Sequence, residues 1–63
     1  MPQHSHAGLH FYTIKQVANR LQVNERTVRR WIAAGLLEAH KFGGVVRISA
    51  DDLRAFLALN RGA

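Results

Sequence analysis

Only Gln22 and Val23 stand between two short segments that each read as an amphipathic helix, and this spacing limits the chain more than any other feature. The first segment, residues 13–21, opens with Thr13 followed three positions later by Gln16, the spacing of a capping box. Ile14, Val17, Ala18 and Leu21 form its apolar stripe. The second, residues 24–35, reads NERTVRRWIAAG. Asn24 suits the N-cap, Glu25 the positive end of the helix dipole, and Gly35 a left-handed stop. Helices this short and this tightly joined cannot lie flat and cover one another. They are expected to cross steeply, as a helix-turn-helix, with the second helix as the one such units present to a major groove.

The second helix has two unlike faces. Val28, Trp31 and Ile32 fall together on an apolar side. Arg26, Arg30 and Ala33 lie roughly opposite, with Arg29 on the flank. Nine Lys and Arg against four Asp and Glu give the chain a formal charge of +5. The excess is mainly arginine, whose planar fork suits phosphates and guanine edges. Its concentration on one helix face points to electrostatic capture of nucleic acid rather than to solubility alone.

At 63 residues the chain holds one domain with a modest core. It has no cysteine, hence neither a disulfide framework nor a thiolate zinc site. No apolar run is long enough to span a membrane, and the N-terminus lacks the apolar segment of a secretory signal, so a cytoplasmic location is expected. Residues 1–10, with Pro2, Ser5, Gly8, His4, His6 and His10, show no periodicity and are expected to be a flexible arm. The three histidines read as a solvated tail rather than a metal site. The domain is expected over residues 11–60, with residues 61–63 frayed. Phe11 or Tyr12 is expected to fold back on the first helix as a staple-like contact.

Beyond Gly35, the adjacent Leu36 and Leu37 are expected to turn the chain back over the core. Gly43 and Gly44 between two short β-prone runs predict a tight hairpin over about residues 38–48, with Phe42 facing Val45 and His40 facing Arg47. Ala39, Lys41, Val46 and Ile48 share the other face, and Ile48 is the residue expected to be buried. Ser49 followed by Asp52 repeats the capping-box spacing and starts a last helix, about residues 50–60, with Leu53, Phe56 and Leu57 inward. The predicted fold class is mostly α with a small β-hairpin: a compact winged helix-turn-helix in the order helix, turn, helix, hairpin, helix. Its core is read as Ile14, Val17, Leu21, Val28, Trp31, Ile32, Leu37, Ile48, Leu53, Phe56 and Leu57.

The run YTIKQVANRLQVNERTVRRWIAAGLL followed by KFGGVVRISADDLRAFL resembles the excisionase-type helix-turn-helix family, the compact branch related to MerR-type winged-helix DNA-binding domains. The resemblance covers about residues 12–58. It is carried by Tyr12-Thr13, by Thr27, Val28, Arg30, Trp31 and Ile32, by Gly35-Leu36, and by Arg47 ahead of Asp51-Asp52-Leu53. It implies a helix that reads the major groove and a wing that reaches backbone or minor groove. It also implies service as a recombination accessory factor beside an integrase or recombinase, as a small transcriptional regulator, sometimes in several copies on DNA, or as a targeting module of a larger protein. Family wings often carry several arginines near the tip, whereas this tip has only Lys41 and Arg47 as cations. Neither the long dimerisation helix nor the effector domain of full MerR-type regulators is expected within these residues.

The candidate contacts to double-stranded DNA are therefore Arg30 first, then Arg26, Arg29 and Thr27 on the second helix, Lys41 and Arg47 on the wing, and Lys15, with Arg20, on the first helix. Base reading and phosphate holding are both open to each arginine. Arg47 has alternatives in stacking on Trp31 or pairing with Asp51. His40 reads as isolated, with no serine or carboxylate arranged for catalysis, and Asp51 and Asp52 suit a helix start better than acid–base work. Gly43-Gly44 lacks the context of a phosphate-binding loop. No enzyme activity, cofactor or metal is expected. The rival reading is a protein-interaction or assembly module on the same fold, using an apolar patch around Phe42 and Val45.

Overall fold

The computed structural model describes residues 10–60. The expected arm, other than His10, and the expected frayed end lie outside the described residues. The elements run β1 (Phe11–Tyr12), α1 (Ile14–Leu21), α2 (Glu25–Ala33), β2 (His40–Phe42), β3 (Val45–Ser49) and α3 (Ala50–Asn60).

Local chemistry sets the helix boundaries. Thr13 Oγ1 accepts from the Gln16 N–H at 3.0 Å while Gln16 Oε1 accepts from the Thr13 N–H at 2.9 Å, a complete capping box at the head of α1. Asn24 Oδ1 accepts from the Arg26 N–H at 2.9 Å and caps α2. Both helices then close in the same way. At the end of α1, Gln22 adopts the left-handed conformation (φ 57°), and the Val23 N–H donates to the Ala18 carbonyl at 2.9 Å. At the end of α2, Gly35 is left-handed (φ 78°), and the Leu36 N–H donates to the Trp31 carbonyl at 2.9 Å. These are Schellman closures, which satisfy carbonyls that the last turn would otherwise leave unpaired. The first of them redirects the chain into the cap of α2, which is how a two-residue turn is possible.

The hairpin has the expected register, with His40 opposite Arg47, Lys41 opposite Val46 and Phe42 opposite Val45. A third strand joins it. β1 pairs antiparallel with β3, Phe11 opposite Ser49 and Tyr12 opposite Ile48, giving the sheet order β1-β3-β2. Residues 11 and 12 are thus strand, and the expected contact with α1 is made by the Tyr12 ring, which carries the Arg20 guanidinium 4.9 Å from its centroid. The extra strand answers the problem of a lone hairpin, which is barely stable in water.

The core consists of Val17, Ala18, Val28, Leu37, Ile48, Leu53 and Phe56, with Ile14, Leu21, Trp31 and Ile32 packed around it. One expectation is corrected. Leu57 is 38% exposed, because Leu53 and Phe56 already occupy the inward side of α3. Of the adjacent leucines only Leu37 is buried, while Leu36 is 62% exposed; neighbouring side chains leave the backbone in different directions, and one pocket receives one of them.

Ser49 ends β3 and begins α3 in a single residue. Its Oγ accepts from the Asp52 N–H at 3.0 Å and donates to Asp52 Oδ2 at 2.7 Å. The return half of the box therefore runs through the hydroxyl rather than the Ser49 backbone, which is engaged in the strand.

Candidate nucleic-acid interface

The outward face of α2 is cationic. Val28 is fully buried and Trp31 and Ile32 are half-buried, so the helix is fixed by its apolar side, and Arg26, Arg29, Arg30 and Ala33 are all exposed. Trp31 packs on Phe56 with ring centroids 4.9 Å apart and belongs to the core boundary rather than to the outer surface. The three arginines differ in their surroundings. Arg29 Nη2 lies 3.4 Å from Glu25 Oε1, an exposed pair one turn apart. Neither Arg26 nor Arg30 has a side-chain hydrogen bond or ion pair among the described residues.

At the head of α2 several N–H groups are already engaged. The Arg26 N–H is taken by Asn24 Oδ1, and the Thr27 and Val28 N–H groups bond the Asn24 carbonyl at 3.0 and 3.3 Å. Thr27 is half-buried, so its hydroxyl, more than its amide, is what this turn can offer a phosphate. Lys15 on α1 is exposed. Arg20, also exposed, is held on the Tyr12 ring.

The two wing cations point apart. Lys41 lies opposite Val46 and Arg47 opposite His40, and successive residues of a strand face opposite sides of the sheet. Lys41 is exposed, whereas Arg47 is half-buried and its Nη1 donates to the Val46 carbonyl at 2.8 Å. Neither alternative partner, Trp31 or Asp51, holds Arg47: Trp31 packs on Phe56, and Asp51 pairs with Arg54 at 3.3 Å. On the Arg47 side, Phe42 meets Phe11 edge to face at 5.3 Å, and Phe11 meets His40 at 6.0 Å. At the tip, Gly43 and Gly44 both have positive φ, as a two-residue hairpin turn requires.

His40 is not isolated. Its Nε2 is 2.8 Å from Asp52 Oδ2, the same oxygen that accepts from Ser49. The ionised carboxylate can only accept, so the imidazole N–H donates to it. Asp52 is held below the ordinary carboxylate pKa, first by the Ser49 hydroxyl and then by His40. Sequence spacing gave no hint of this link, because residues 40 and 52 are brought together only by the hairpin. Here the carboxylate sits between hydroxyl and imidazole, so the imidazole does not touch the serine. The arrangement fastens the wing to α3.

Among the described residues no cluster of His, Asp or Glu could hold a metal ion, and no helix is long and apolar enough to cross a membrane.

Two capped helices in series and an antiparallel hairpin leading into a third helix define a winged helix-turn-helix protein. The model of the helix-turn-helix domain family matches residues 11–61, and the chain belongs to that family, an excisionase-like group of helix-turn-helix domains. Membership supports DNA binding in general. No curated protein matches the chain.

Proposed function

We propose that the protein binds double-stranded DNA in a sequence-selective way, with α2 in the major groove and the β2–β3 hairpin as a wing against the flanking backbone. The observation that carries this reading is the pair Arg26 and Arg30, exposed one turn apart on the outer face of α2 with no side-chain partner among the described residues. Unpaired guanidinium groups on a helix narrow enough for the groove suit both base edges and phosphates. Arg29 contributes less freely because Glu25 competes for it. Lys15, Thr27, Lys41 and Arg47 supply further backbone contacts, with Lys41 and Arg47 serving opposite sides of the wing.

A single module buries only roughly 600–1,000 Å² on DNA. Tight binding then calls for several copies or a neighbouring protein, which fits an accessory factor in recombination beside an integrase or recombinase, or a small transcriptional regulator. The test is selection of bound duplexes from a random pool, followed by a salt titration of the winner. A defined motif and an affinity that falls steeply with salt are expected; a flat salt response ends the proposal.

One observation favours a second reading, a protein-interaction module: Phe42 and Val45 at the wing tip are 50% and 45% exposed. That reading requires Phe42→Ala to abolish complex formation while Arg30→Ala leaves it intact.

A further inference from the structure

We infer that the groove between the end of α1 and α3 receives an acidic amphipathic helix of a partner protein. The groove has a volume of about 440 Å³ and is lined by Tyr12, Arg20, Leu21, Leu53, Arg54 and Leu57. No residue of α2 or of the hairpin lines it, so of the residues considered as DNA contacts it shares only Arg20.

Its chemistry is mixed: Leu21 and Leu57 give it an apolar part beside the cationic Arg20 and Arg54. Leu53 is buried, and Leu57 beside it is 38% exposed on the same stretch of α3. Leu57 thus stands outside the inward contacts that α3 makes through Leu53 and Phe56. On one edge the Arg20 guanidinium rests on the Tyr12 ring at 4.9 Å, which holds the charge at the rim. On the other edge Arg54 meets Asp51 at 3.3 Å, but both side chains are more than half exposed, at 70% and 64%. Such a solvated pair contributes little and yields to a better-placed carboxylate.

Two cations flank three leucines, and the described lining has no carboxylate. Phosphates would use the arginines and waste the leucines. An apolar helix without acids would use the leucines and waste the arginines. A helix with an aliphatic or aromatic stripe at i, i+3, i+4 and i+7, bordered by Asp or Glu, uses both.

A displayed library of helical peptides, selected against the full chain, tests this. The expected winners carry that stripe with acidic flanks, and their binding shifts the amide resonances of Leu21, Leu53 and Leu57. Arg54→Glu and Leu57→Ser should each weaken the winning peptide by about tenfold or more, while duplex affinity and the circular dichroism spectrum stay at wild-type values. The inference is overturned if the pool yields no binder, if the winners lack acids, or if they map to Phe42 and Val45. It is overturned equally if Arg54→Glu weakens the duplex and spares the peptide, since the groove would then face DNA. Loss of duplex binding by the wild-type chain would count against the DNA reading alone.

Discussion

Nε2 of His40, on the first strand of the wing, lies 2.8 Å from Oδ2 of Asp52, in the first turn of α3. The same oxygen takes the Ser49 hydroxyl at 2.7 Å, so one carboxylate joins the base of the hairpin, the end of β3 and the head of the last helix.

The Asp52 carboxyl has a depressed pKa in the folded protein, with the Ser49 hydroxyl as the larger cause and His40 as the next. Its stabilisation is thus complete above the ordinary carboxylate value of about 3.9 and is lost as pH falls through the lower folded value. Asp52→Asn is expected to cost about 1 kcal/mol near neutral pH. The gap between the variant and wild type should close in acid. Urea midpoints measured across the acid range check this, and a gap that persists below the folded pKa would refute it.

Arg26→Ala and Arg30→Ala are each expected to lower the slope of log affinity against log salt by roughly 0.9 if the lost contact is to a phosphate. Arg29→Ala should lower it less, because Glu25 lies 3.4 Å from that guanidinium. Glu25→Gln frees Arg29 and removes a negative charge from the duplex face. It should tighten DNA binding several-fold while costing about 0.3–1 kcal/mol of helix stability. Fluorescence anisotropy at several salt concentrations, with thermal melts alongside, measures both.

Gln22 holds φ 57° between the two helices, a conformation that favours glycine. Gln22→Gly relieves a left-handed penalty of about 1–2 kcal/mol but adds unfolded-state entropy of about 0.5–1 kcal/mol. A net gain of up to about 1.5 kcal/mol is expected. A lower melting temperature for Gln22→Gly would show that the side chain contributes more than its backbone costs.

Leu37 is 1% exposed and sits where the chain leaves α2 for the wing. Leu37→Ala should cost about 2–5 kcal/mol. A single small core rarely supplies more than about 3–5 kcal/mol in total, so this variant is expected to be largely unfolded at room temperature. Leu36→Ala, at a neighbour 62% exposed, should change stability little. Chemical denaturation of the two variants gives the comparison.

Most of the framework was legible because short-range chemistry dictates it. Thr13 with Gln16, Asn24, Gly35, the Gly43-Gly44 pair and Ser49 with Asp52 each mark a boundary through a bond or a backbone preference acting within a few residues. The cationic and apolar sides of α2 followed from periodicity alone. What escaped depends on distant parts of the chain. Phe11 and Tyr12 are too few to show an alternation, and β3 alone makes them a strand. His40 and Asp52 meet only once the hairpin has folded. Leu57 has the spacing of a core residue, yet Leu53 and Phe56 fill the inward side before it. The candidate contacts on α2 were readable as an exposed charged face; the inequality between Arg29 and its neighbours was not, since it hangs on where Glu25 sends its side chain.

A Cβ built on Gly43 or Gly44 would meet nothing within 4 Å. The loop there is bounded by backbone handedness and not by crowding. Added residue pairs that keep a compatible turn could extend the ribbon by about 3.4 Å for each residue per strand, with the nucleus undisturbed. The wing is in that sense a caliper with a free end, and how far along a duplex it reaches can be changed without redesigning what holds it.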